Sequence, residues 1–299
     1  MVLQLQRTIA IPPDAPTGFD HGDVMLDTGQ VFVAHTGAGS VEVLDGEGGA
    51  HVATIPGCPE ASGVLCVQED ALAFAAARGA RKILVIDPSS HQTLREIQAG
   101  SRPNGLAWDP TRRQLLVADV EDNRARIVQP QHGSVVAEVP LPGRPRWCVF
   151  DTSRDRYLVN IREPACVAAL PGDLAADPRR VPISVDGPHG LDLDRKRDRA
   201  FVACDGGAVV VLDLTRDESI GTVPIAGVPD AIWYNPVRER LYVAVGDPGV
   251  VDVVNTDSLA VDEEVVTEKG AHTTAYDDRR QLLYVFLPQS SRATVYAEE

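Results

Sequence analysis

The chain has 299 residues, with 43 acidic against 28 basic side chains, a formal net charge of −15 and an apolar fraction of 44%. An acidic balance of this size argues against nucleic acid and against an anionic membrane as partners, and no basic-then-apolar leader or run of roughly 20 apolar residues points to export or to a membrane span. Five cysteines, none in a CxxC pair, fit reduced thiols packed as small apolar side chains in a cytoplasmic protein.

In chain order, LQLQRTIAIPPDAP from Leu3 reads as a strand. FDHGDVMLDTGQVFVAH from Phe19 then gives two short apolar runs around a turn. The same design returns as EASGVLCVQEDALAFAAA from Glu60 and RPNGLAWDPTRRQLLVADV from Arg102. It returns again as RPRWCVFDTSRDRYLVNI from Arg144, GPHGLDLDRKRDRAFVAC from Gly187, VPDAIWYNPVRERLYVAV from Val228 and GAHTTAYDDRRQLLYVF from Gly270. Between copies, a third run such as SVEVLD, KILVID or AVVVLD precedes a fourth, such as HVATIPG, TLREIQAG or IGTVPIAG, which leads into the next Gly/Pro junction.

The residues opening the first run of each copy are His21, Ser62, Asn104, Arg146, His189, Asp230 and His272. By subtraction of residue numbers they lie 41, 42, 42, 43, 41 and 42 apart. Short β-rich runs at a period of about 40–45 residues are the mark of propeller blades. The expected fold is all-β: a seven-bladed β-propeller with four antiparallel strands per blade, one domain over residues 1–299. The last copy lacks a fourth strand, and the N-terminal segment supplies it, closing the ring and covering an open sheet edge.

LLVADVEDNRARIVQPQHGSVVAEVPLPGRP, RLYVAVGDPGVVDVVNTDSLAV and the junctions RPNGLAWDP and GPHGLDLD resemble the YVTN-repeat propellers, the surface-layer and quinoprotein-like group. The resemblance covers nearly the whole chain and implies the fold, while unrelated activities share this scaffold. Metal-dependent propeller lyases, which place histidines and a metal around the central channel, are a precedent whose motifs do not match this sequence.

In a propeller the first strand of each blade lines the channel, so the seven opening residues are expected to ring one mouth. Because the ring closes, His189, Asp230, His272 and His21 form one arc. Imidazole and carboxylate suit zinc, iron, manganese or nickel, and three histidines with an open position typify a catalytic metal. His21, His189, His272 and Asp230 are therefore the expected metal ligands. The ring is too rich in histidine for calcium, and no nucleotide or flavin motif is present.

Arg146, across the channel, is expected to hold a substrate carboxylate or phosphate, with Trp147 as an apolar wall and Asn104 and Ser62 as hydrogen-bonding groups. Without a metal, Asp230 orients His189 or His272 as an acid–base pair. His35, at the end of the second run from Phe19, is expected at the same mouth as a ligand or base. A purely structural ring, bonded to loop carbonyls and channel water, is the third alternative. His51, His91 and His132 read as solvated, DGEGG and CDGGA as β-turns, and Asp119 as a turn residue rather than a substrate contact.

The expected function is that of a metal-dependent lyase, isomerase or hydrolase acting on a small anionic molecule. The alternative is a non-catalytic propeller that binds a ligand or a protein partner.

Overall fold

The computed structural model describes residues 3–13 and 17–298. Seven four-stranded antiparallel sheets form the blades of a ring. The third strands Ser40–Asp45, Lys82–Asp87 and Ala208–Asp213 coincide with the runs singled out from the sequence. Leu3–Ala10 pairs with Arg292–Glu298, Leu3 opposite Glu298 and Ala10 opposite Arg292, as the outermost strand of blade seven. The N-terminal segment therefore closes the ring, and Ile9 and Ile11 are buried in doing so.

Local chemistry explains why each unit folds alike. The inner strands of blades three, five, six and seven are Pro103–Asp109, Pro188–Asp194, Pro229–Asn235 and Thr273–Asp277. Each ends in Asp or Asn, whose side-chain oxygen accepts the backbone N–H groups two and three residues on, at 2.9–3.1 Å. These Asx turns fix the tight connection to the second strand. Arginines in these turns and in that of blade four reach to the next blade: Arg112 to Asp155 (2.7 Å), Arg154 to Asp198 (2.8 Å) and Arg197 to Glu239 (2.5 Å).

The core lies between blades. The third residue of each second strand is large and buried: Phe32, Phe74, Leu116, Leu158, Phe201, Tyr242 and Tyr284. Alanine and valine surround them, which is how a chain with only 5% aromatic residues fills seven interfaces. All five cysteines are free and buried. No helix among the described residues is long and apolar enough to cross a membrane.

Candidate active site at one channel mouth

The inner strands start at one end of the channel, here called the upper mouth, and turn back at the lower mouth. Strand pairing sets which residues are equivalent. Asp194 pairs with Arg199 in blade five, and Met25 pairs with Gln30 in blade one. Counting back from these pairs puts Asp20, not His21, level with His189. The ring is therefore Asp20, Ser62, Asn104, Arg146, His189, Asp230 and His272. His21 sits one residue further on, where blades two, three and five have Gly63, Gly105 and Gly190. A Cβ on those glycines would come within 2.0, 2.4 and 2.3 Å of the carbonyl oxygens of Asn104, Arg146 and Asp230 in the next blade. Blades one and four instead carry His21 and Trp147 at this level. Their rings stack across the channel, centroids 3.8 Å apart and planes 4° apart.

A second ring comes from the residue following each second strand. Arg78, Arg162 and Asp205 belong to it; by subtraction they lie 84 and 43 residues apart, two blades and one. His189 Nδ1 is 2.9 Å from Asp205 Oδ1, within the same blade, and Arg162 Nε is 2.9 Å from Asp205 Oδ2. Arg78 donates to Asn104 Oδ1 at 3.1 Å and to Asp20 Oδ2 at 3.3 Å, and Asp20 Oδ1 lies 2.6 Å from His21 Nδ1. These partners escaped the sequence reading because the second ring shares no residue type, and CDGGA, which contains Asp205, reads as a plain turn. The 42-residue spacing was the available signal.

Asp230 is the hub. Its Oδ1 is 3.1 Å from His189 Nε2 and 3.9 Å from His21 Nε2, and its Oδ2 is 3.7 Å from His272 Nε2. Burial alone would raise its carboxyl, but His189 beside it, with His21 and His272, holds it well below the usual carboxylate range. Burial alone would lower His189. The Asp230 charge and the hydrogen bond to Asp205 outweigh it and push the imidazole up to about 9. His189 is thus an imidazolium clasped between two carboxylates at neutral pH.

That state bears on the expected metal ligands. A metal needs a nitrogen lone pair, whereas both nitrogens of His189 are directed at carboxylates as donors. His21 Nδ1 is taken by Asp20. Among the described residues no group of three or more His, Cys, Asp or Glu is arranged to hold a metal ion. The arc His21, His189, His272 and Asp230 does come together, but as an ion-pair cluster.

Other expected site residues are placed differently. Ser62 is buried, its hydroxyl 3.3 and 3.2 Å from the carbonyls of Ala76 and Pro103. Asn104 holds Arg78. His35 does not face the mouth: it is fully buried, stacked on Phe19 (centroids 4.5 Å apart), with Nδ1 3.0 Å from Glu42 Oε1. The parity of its strand turns it between sheets. His51 is not free in solvent either, since its Nε2 is 2.8 Å from Glu42 Oε2. Asp119 accepts backbone N–H groups of Ser101, Arg102, Glu121 and Asp122, as a turn residue does.

Arg146 stands apart. Asp20, Asp205 and Asp230 are each matched to a cation, yet among the described residues Arg146 makes no hydrogen bond or ion pair, and its Nε is buried without a partner. Burial lowers its affinity for a proton, with Arg144 and Arg162 adding to the effect against the pull of Asp230. Beside the cluster a cavity of about 580 Å³ opens between His189, Asp230, His272, Lys269 and Gln289.

The sequence matches no protein-family model and no curated protein. The fold is similar to that of a hydrazine synthase chain from Kuenenia stuttgartiensis, with a TM-score of 0.82, 12% identity, and 94% of this chain and 95% of that chain covered. At that identity the likeness is one of fold. It supports the propeller architecture implied by the YVTN resemblance, and the finer repeat family has no family-model support.

Proposed function

We propose that the upper mouth is an acid–base site for a small anionic molecule, of the kind used by lyases, isomerases and hydrolases. The observation that carries this reading is the clasped imidazolium of His189 beside an arginine with no partner of its own. Arg146 supplies the charge and the planar fork for a carboxylate or phosphate. Asp205 fixes the His189 ring from behind, so that Nε2 is the atom that exchanges a proton. Asp230 keeps that proton on the imidazole until a more basic atom of the substrate arrives.

His272, whose side chain is 37% exposed, touches the other oxygen of Asp230 and offers a route for the proton's return from water. The cavity of about 580 Å³ falls within the ~300–1,000 Å³ in which proteins bind small molecules.

The test is calorimetric titration with small mono- and dicarboxylates and with inorganic phosphate, followed by a turnover screen on those that bind. Arg146→Ala is expected to weaken binding by about 100-fold, in line with loss of a charge-assisted pair. His189→Asn is expected to keep binding and abolish turnover. Binding that ignores Arg146→Ala overturns the reading, and binding with no turnover by the intact protein favours a non-catalytic ligand-binding propeller.

A further inference from the structure

On the lower-mouth side of Trp147, which stacks on His21, lies a second compartment of about 310 Å³. Six of the seven inner strands line it, and it reaches the lower-mouth turns at Glu69, Pro110, Thr152 and Arg195. The chain has three tryptophans, and all three, Trp108, Trp147 and Trp233, are in its wall. Leu65, Leu106 and Ile232 are in the wall as well.

The charges in this wall are unbalanced. Asp23 accepts the backbone N–H groups of Val24 and Cys66, both at 2.7 Å, and Asp192 accepts those of Leu193 and Tyr234, both at 2.7 Å. Each carboxylate thereby ties its blade to the next. Neither has a hydrogen bond or ion pair to a cationic side chain among the described residues. Glu69 accepts the Trp108 indole N–H at 2.8 Å. The one cation in the wall, Arg195, spends its guanidinium on Phe150 O at 3.0 Å and Thr152 Oγ1 at 3.4 Å. Among the described residues, three carboxylates thus line an indole-walled space with no ion pair to a cation.

We infer that the lower compartment binds a small organic cation with an apolar body, an alkyl- or arylammonium, held by indole faces and by the charge of Asp23, Asp192 and Glu69. Indole is the best of the side-chain rings for a cation, and burial strengthens the attraction. An anion would meet three carboxylates against one engaged guanidinium. A neutral apolar molecule would leave the carboxylates as they are. Burial raises Asp23 to about 7 and, against the pull of Arg195, Asp192 to about 6, so a bound cation would also favour the ionised form of both.

The three tryptophans make the test direct. The intact protein is titrated with benzyltrimethylammonium, with its uncharged isostere neopentylbenzene, and with phenylacetate, while tryptophan fluorescence is followed. The expected result is saturable quenching by the cation at concentrations at least ~10-fold below those needed for the neutral isostere, with no response to phenylacetate.

Leu65→Lys places an ammonium in the chamber and is expected to abolish the response while the circular dichroism of the sheets stays unchanged. Trp233→Phe, which keeps a ring, is expected to weaken binding by about 5-fold. Equal or tighter binding of neopentylbenzene or phenylacetate overturns the inference. So does absence of a saturable response to the cation in the folded protein.

Discussion

His21 and Trp147 lie face to face from opposite blades, at a level where three other blades carry glycine. Trp147 lines the lower chamber, and His21 Nε2 lies 3.9 Å from Asp230 in the upper cluster. Restoring the repeat's own residue with Trp147→Gly removes the stack. The half-buried indole is expected to cost less than the ~3–5 kcal/mol of a fully buried aromatic, read as a lowered thermal midpoint. Acrylamide quenching of the remaining tryptophans should steepen as the channel opens. A quenching slope equal to that of the parent protein would show that the stack is no barrier.

His189 gives a pH prediction. Burial alone would lower its value; the Asp230 charge and the hydrogen bonds to Asp205 and Asp230 together outweigh burial and raise it from 6.5 to about 9. A raised histidine stabilises the fold fully below about pH 6.5, and that contribution is lost as pH rises through about 9. NMR titration of the imidazole is expected to show this midpoint, and Asp205→Asn should lower it by about one unit. A midpoint near 6.5 in the parent protein would refute the clasp.

Glu42 predicts the opposite sign. Burial alone would raise it, but His35, Ser40, Thr54 and His51 all hydrogen-bond to it and hold it down at about 2, from 4.5. The stabilisation it contributes is present above pH 4.5 and is lost as pH falls towards 2. By linkage it amounts to roughly 3 kcal/mol. Glu42→Gln should destabilise the protein at pH 7 and flatten the acid limb of its urea-unfolding profile. An acid limb identical to that of the parent would place the titration elsewhere.

Closure by the N-terminal strand makes a third claim on stability. Ile9 is buried where that strand joins blade seven. Ile9→Ala is expected to cost about 3 kcal/mol and, by loosening the covering strand, to expose the edge at Arg292–Glu298. Light scattering on heating should then rise before the parent's does. A change below about 0.5 kcal/mol would mean that the strand is dispensable.

The architecture could be read from the sequence because each blade repeats the same physical solution. From blade three to blade seven an Asp or Asn ends the inner strand, and in all seven blades a large third residue of the second strand fills the interface, at a spacing of 42 residues or so. The site was less legible. His21 entered the ring as the residue opening the first run of its copy, whereas strand pairing counted from the Met25 turn gives that place to Asp20. His35 followed the strand-end rule, yet its parity turns it inward to Glu42. Asp205, Arg162 and Arg78 had no shared identity to draw attention, and only the folded chain shows which carboxylate each cation meets.

Trp147 joins the lower chamber to the upper cluster, lining the one and stacked on His21 of the other. A guest that pushes the indole from below must displace an imidazole tied to Asp20, in the cluster that surrounds His189. Thermodynamic linkage then makes the influence mutual: whatever factor a lower guest applies to affinity at the other face, an upper guest returns in equal measure.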